Sequence, residues 1–231
     1  MTLYETIFTR RQVRRFRDDL LDQQQLLDIE TWILNAKQFS GQQAKVALVT
    51  DNEVSHGQGA PYYLLVYCDN HSSAYGNAGF VLQQGDLYLQ SLGLGSGWFA
   101  GVKPKRHDDR FCIGLAFGKT DVPARKSEDE FKRKSIETIS PMANAVAAAV
   151  RLAPSSLNSQ PWRLAFGEEK VTITDVGSGI KRMFLKNKLN KIDLGIAASH
   201  AVIALTHEGN TVIEVIPRET NQQFEIDIFY R

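Results

Sequence analysis

Cysteine is nearly missing from this chain, with only Cys68 and Cys112 among 231 residues. Both sit inside apolar, strand-like runs, so we expect two buried free thiols in a reducing compartment, not a disulfide scaffold. The five histidines show no metal-ligand spacing with one another or with the cysteines, which argues against a zinc centre. Long apolar runs are missing too. The longest, Met142 to Val150, is too short to cross a bilayer. The N-terminus, Met1-Thr2-Leu3-Tyr4-Glu5, lacks the basic and apolar regions of a signal peptide. A cytoplasmic protein without a membrane partner is expected. There is no excess of charge of either sign: 27 basic residues face 26 acidic ones, for a net charge of +1. No global field favours nucleic acid, and no nucleic-acid partner is expected. P-loop, nucleophile-elbow and paired-carboxylate patterns are also absent.

Apolar material is ample, at 43% of residues, enough for one large domain. A helix should begin near Thr2, followed by Arg10-Arg11-Gln12-Val13-Arg14-Arg15-Phe16. Asp22 reads as the N-cap of a second helix with Leu26, Leu27, Ile29, Ile33 and Leu34 on its buried side. Strands are expected at Lys45 to Thr50, Tyr62 to Cys68 and Phe111 to Phe117. A helix from about Asn77 to Ser91 is apolar on most sides and should lie centrally, ending at the run Gly93-Leu94-Gly95-Ser96-Gly97. Arg125 to Lys134 reads as exposed helix or linker. The plan then recurs: a helix at Pro141 to Leu152, strands at Leu164 to Phe166 and Val171 to Asp175, a second apolar helix at Ile192 to Thr206, and strands at Val212 to Ile216 and Phe224 to Phe229. His200, inside the apolar helix, reads as a hydrogen-bonded core histidine, and Asp193 as that helix's N-cap.

A single shift of 116 carries Gly79 to Gly195, Gly93 to Gly209, Leu89 to Leu205, Leu48 to Leu164 and Ser40 to Ser156. One domain, 1–231, built of pseudo-repeat halves 1–125 and 126–231, is the expectation.

Three stretches carry chemical meaning. Four guanidinium groups between Arg10 and Arg15 repel one another unless an anion lies between them, and the planar arginine fork suits phosphate. A solvated basic face is the plainer reading of that stretch alone. Pro154-Ser155-Ser156-Leu157-Asn158-Ser159-Gln160-Pro161-Trp162 places hydroxyls and amides between two stiffening prolines. Such a loop suits a flat heterocycle with carbonyl and imide edges, although any one serine could be an ordinary cap. The run Gly93 to Gly101 lets backbone approach a ligand, but it follows a helix where a dinucleotide fingerprint would follow a strand.

Together these stretches resemble the nitroreductase family, over nearly the whole chain, and most specifically its single-chain tandem branch. The resemblance implies an α+β nitroreductase-like fold with two pseudo-symmetric halves, each with a central apolar helix and a small, mainly antiparallel sheet. It implies one FMN, and electron transfer from NAD(P)H to an electron-poor small-molecule acceptor of nitroaromatic or quinone type. A flavin-binding protein for storage or sensing is the alternative. By the same likeness Arg10, Arg11 and Gln12 would meet the FMN phosphate, and Arg14 the carbonyl edge of the ring. Phe99, Ala100 and Gly101 would approach the reactive side of the ring. Arg125 and Lys126 would add a phosphate ligand, and Pro154, Ser155 and Ser156 would contact the ring from the other half, with Asn158 supporting the loop. Family members place the serine string before the first central helix, whereas here that segment reads Gln38-Phe39-Ser40 and the good copy lies in the second half. The shift also turns Arg10, Arg11 and Arg14 into Lys126, Ser127 and Glu130, so one site per chain is expected, in a monomer or alternatively a homodimer.

Overall fold

In the computed structural model the described residues are 1–57, 59–177, 188–220 and 223–231. The first helix, α1 (Leu3–Thr9), starts on a capping box in which Thr2 and Glu5 satisfy each other's backbone amides. Asp22 and Gln25 do the same for α2 (Gln23–Leu34). The buried face of α2 is narrower than the apolar pattern suggests. Ile29 and Ile33 are buried, but Leu27 and Leu34 are exposed, because the helix lies on the surface and shows only one edge to the core.

Strands β1 (Lys45–Thr50), β3 (Tyr62–Tyr67), β4 (Gly95–Phe99) and β6 (Phe111–Gly118) form an antiparallel sheet in the order β1-β3-β6-β4. A two-stranded ribbon, β2 (Val54–Ser55) with β5 (Lys103–Pro104), flanks it. Strands β7 (Trp162–Phe166), β8 (Lys170–Asp175), β9 (Val212–Glu219) and β10 (Phe224–Tyr230) form a second antiparallel sheet, ordered β7-β8-β10-β9. The two sheets have the same strand order, position for position along the chain.

Between them run α3 (Ser72–Ser91) and α6 (Leu189–His207), both buried along most of their length. Helix α3 starts five residues before the apolar pattern, because His71 caps it by accepting from the Ala74 amide at 3.3 Å. Helix α6 starts at Leu189, so Asp193 lies within its second turn and is not its cap. The helix expected over Pro141 to Leu152 is shortened to α5 (Ala145–Arg151), capped by Asn144, and a separate short helix, α4 (Ile136–Ile139), precedes it. The expected loop at Gly95 to Gly97 is part of an edge strand. Gln12 bridges to Ser96 beside it, and the Val13 amide donates to the Ser96 carbonyl at 2.9 Å. A side chain at Gly97 would overlap the Val13 carbonyl, so glycine there lets the arginine stretch lie flat on the sheet edge. Cys68 and Cys112 are both free and buried, as expected. Among the described residues no helix is long and apolar enough to cross a membrane.

Glycine also decides how α3 meets α6. A Cβ on Gly79 would overlap the Ile192 carbonyl, and one on Gly195 would overlap the Gly76 carbonyl. Under the shift of 116, Gly79 matches Gly195 and Gly76 matches Ile192, so the two contacts are reciprocal, as at a two-fold axis. Replacing Gly195 by alanine should destabilise the fold by about 3 kcal/mol or more, since backbone cannot yield as a side chain can. Gly101→Ala, which meets nothing within 4 Å, should cost under ~0.5 kcal/mol. Urea unfolding of the two variants checks this; equal midpoints would show that the helices do not touch at Gly195.

Candidate functional site

A cleft of about 520 Å³ lies between the arginine stretch and the serine loop. One wall comes from the arginine stretch and the end of β4: Arg10, Gln12, Arg14, Trp98 and Ala100. Pro154, Ser155, Ser156, Leu157 and Asn158 form the facing wall. Ile113, Leu189, Ile192 and Ile196 give an apolar floor, and Arg125, Arg133 and Asp193 complete the lining. Volume and mixed lining are those of a small-molecule site.

Arg10 is 2% exposed, with its Nε 2.8 Å from Asp86 Oδ2. Asp86 in turn accepts from Ser96 Oγ at 2.5 Å and from the Gln90 and Gln83 amides at 3.2 Å. This fixes one edge of the guanidinium, while Arg10 Nη2 is buried with no hydrogen-bond partner among the described residues. Arg125 lies against it, donating to the Arg10 carbonyl and stacking on Phe131 at 4.1 Å. Arg133 is the third member, and its Nε is also buried without a hydrogen-bond partner among the described residues. Burial first, then the positive charges of Arg10 and its neighbours, pushes Arg125 and Arg133 down to about 10. Such a cluster is a repulsive arrangement that a bound dianion would relieve.

Gln12 points back to the sheet edge, donating to the Trp98 carbonyl at 3.0 Å and accepting from the Trp98 amide at 3.2 Å. Arg14 lies exposed over the Phe99 ring, 5.9 Å from its centre. Phe99 itself is buried beneath it and does not line the cleft. Gly101 is likewise outside the lining. Arg11 turns away to pair with Glu130, and its amide donates to Gln90 Oε1 at 2.8 Å. Lys126 is exposed, with its amide on Glu130 Oε1 at 2.7 Å. Neither Arg11 nor Lys126 lines the cleft.

The serine loop is held under strain. Leu157, Asn158 and Gln160 have φ of 51°, 51° and 47°, a region that asparagine tolerates but leucine and glutamine rarely enter. The segment before α4 holds it. Arg133 Nη1 donates to Asn158 Oδ1 at 2.9 Å, Asn158 Nδ2 to the Lys132 carbonyl at 2.8 Å, and the Lys134 amide to Gln160 Oε1 at 2.7 Å. Arg133 thus does two jobs, and nothing in its local spacing marks it. The stretch from Arg125 to Lys134, read as exposed helix or linker, holds two half-buried arginines and the buried Phe131.

Asp193 is the other residue that the sequence reading misplaced. It is 1% exposed and accepts from the Ser156 amide at 3.0 and 3.1 Å and from Ser156 Oγ at 3.1 Å. Burial, with the Asp175 charge adding to it against the Ser156 hydrogen bonds, raises its pKa from the ordinary 3.8 to about 7. The folded state therefore keeps a proton that the unfolded chain loses above about pH 4. The stability linked to this group is full below that pH and declines as pH rises to about 7. Asp193→Asn should remove that decline, so the variant's stability relative to wild type rises between pH 5 and 7.5. A pH-independent difference in unfolding midpoint would show an ordinary carboxylate.

The family model described as "Putative TM nitroreductase" matches residues 2–205. Among solved structures, a "putative nitroreductase" from Thermotoga maritima MSB8 is similar at a TM-score of 0.71 and 21% identity, covering 99% of this chain and 94% of that one. A nitroreductase family protein from Clostridium difficile 630 gives a TM-score of 0.49 at 14% identity, over 62% of this chain and 99% of its own. A Desulfovibrio desulfuricans "putative nitroreductase in complex with FMN" gives a TM-score of 0.45 at 18% identity, over 60% of this chain and 94% of its own. At such scores the last two do not bear on the fold. No curated protein matches the chain. With nearly nine-tenths of its length inside the family model, and the fold shared end to end with the Thermotoga protein, the chain belongs to the nitroreductase family.

Proposed function

We propose that the cleft binds one FMN and that the chain is an FMN-dependent oxidoreductase, passing electrons from NAD(P)H to an electron-poor acceptor of nitroaromatic or quinone type. The observation that carries this reading is the cluster of Arg10, Arg125 and Arg133, with a buried, unpartnered Arg10 nitrogen, in the same cleft as the serine loop. A phosphate needs such donors, and a flat ring system needs the apolar floor and polar wall beside them. When bound, the flavin supplies the chemistry of two-electron transfer between nicotinamide and acceptor.

The protein's part is placement. Arg10, Arg125 and Arg133 would hold the phosphate, and Asp86 keeps Arg10 aimed without competing for its outer nitrogen. Pro154, Ser155, Ser156 and Asn158 would meet the ring on one side, Trp98 and Ala100 on the other. Ile113, Ile192 and Ile196 keep water from the floor. Arg14, at the rim, is a cation near which developing negative charge is stabilised. We read the chain as two fused halves, 1–125 and 126–231, supported by the matching sheets and the reciprocal glycine contacts, and acting as a monomer. One site is expected because the counterpart of the serine loop is closed: Phe39 is 2% exposed and packs on Phe80 at 4.9 Å.

Purified protein should be yellow, or become so with FMN, with a flavin content near one per chain. Anaerobic NADH or NADPH should bleach it. Arg125→Ala should weaken FMN by about 10- to 100-fold, the loss of one charge-assisted contact, but leave riboflavin, which lacks the phosphate, within about 2-fold. Protein that takes up no flavin would overturn the proposal, and equal losses for FMN and riboflavin would move the phosphate elsewhere.

A further inference from the structure

We infer that Asp193 is a positioning residue that sets the donor or acceptor sense of the Ser156 hydroxyl on the cleft wall, so that one proton on this carboxyl changes which ligand edge the wall prefers. The geometry allows little else. The Ser156 amide can only donate, and it lies within 3.1 Å of both Asp193 oxygens. The hydroxyl lies 3.1 Å from Oδ1. An ionised carboxylate only accepts, so the hydroxyl hydrogen is then spent on Asp193, and Ser156 Oγ can offer the cleft lone pairs alone. A protonated carboxyl can donate to Oγ while the amide keeps the other oxygen. The hydroxyl hydrogen is then free to turn to the cleft. No backbone need move.

The other half of the molecule provides a control. Under the shift of 116, Asp193 matches Asn77, which also clamps a loop: its Oδ1 accepts from the Phe39 amide at 2.8 Å, and its Nδ2 donates to Gln38 Oε1 at 2.9 Å. A neutral amide is therefore enough to hold such a loop. The first-half loop keeps Ser40, the counterpart of Ser156, but is closed by Phe39; the ionisable group occurs where the loop faces an open cleft. Its charged surroundings are Asp175 at the end of β8, which pairs with Lys191 of α6 at 3.7 Å, and Arg10, Arg14, Arg125 and Arg133 around the cleft. Burial dominates and the Asp175 charge adds to it, against the hydrogen bonds of Ser156 and Ser159, which keeps the proton equilibrium near neutrality.

The ligand arm of the test rests on the FMN reading, whereas the first arm does not. In flavin-free protein with ¹³C-labelled aspartate, NMR should show the Asp193 carboxyl titrating with a midpoint near 7, and the Ser156 amide proton shifting with the same midpoint. A midpoint below about 5, or a Ser156 amide that ignores it, overturns the inference without any variant having to fold. In the second arm, FMN affinity is measured by fluorescence quenching at pH 6 and 8 for wild type and Ser156→Ala. The wild-type to variant ratio should change by about 10-fold, the worth of one hydrogen bond, and titration of the phosphate cancels from it. A constant ratio overturns the inference. Failure of both proteins to bind FMN at either pH would strike the proposed cofactor, leaving the first arm to decide on Asp193.

Discussion

Two helix backbones in direct contact govern the arrangement of everything else. At Gly79 and Gly195 the chain has given up side chains, so that α3 and α6 cross with carbonyl oxygens where methyl groups would stand. Close approach brings the two sheets to either side of a single core, and it sets the first turns of α6 at the seam between the halves. That is why Ile192, Asp193 and Ile196 reach the cleft at all. A crossing wider by one side chain would draw the serine loop, clamped by Asp193, away from the arginine stretch lying on β4. The cleft is thus a consequence of helix packing more than of any loop.

A buried polar network carries the second constraint. Burial drives His200 down to about 3, so its ring is neutral. Its Nδ1 lies 2.8 Å from the Ala149 carbonyl, which can only accept, so the proton sits there and Nε2 accepts from Gln83 at 3.2 Å. Gln83 passes on to Asp86, and Asp86 to Arg10. Removing one partner of such a buried pair is far costlier than never having had it. The network therefore fixes Arg10 before any ligand arrives, and the ordering entropy of a long side chain is not charged to binding.

The sequence made the central helices, the sheets and the serine loop legible, because apolar periodicity and capping residues are local signals. Asp22 was readable as a cap for that reason. What escaped was set by tertiary contact. The β4 strand hides behind its two glycines, Gly95 and Gly97, since a strand that needs close backbone neighbours loses the side chains by which strands are recognised. Arg133 is one cation in a charged run, and only folding separates it from exposed Lys132. Asp193 has the composition of a cap, and its true partner, Ser156, lies 37 residues away. Arg11 illustrates the converse: a guanidinium inside a plausible motif is drawn off by Glu130, a partner that no local pattern reveals.

On the proposed reading of two fused halves, their asymmetry follows from a single economy. A two-fold arrangement offers two equivalent clefts, and keeping an unfilled one open would leave apolar walls wet. In the first-half loop Phe39 fills the space beside Gly76 and Phe80, turning a potential site into core. Burying a ring of that size contributes roughly 2–3 kcal/mol, a gain available only once the loop no longer has to leave the space open for a ligand. The same change removes the need for a charge at position 77, where asparagine clamps the loop without the desolvation penalty that Asp193 bears. The carboxylate survives where its cost is offset by what it does to Ser156, and nowhere else along the pseudo-symmetric pair.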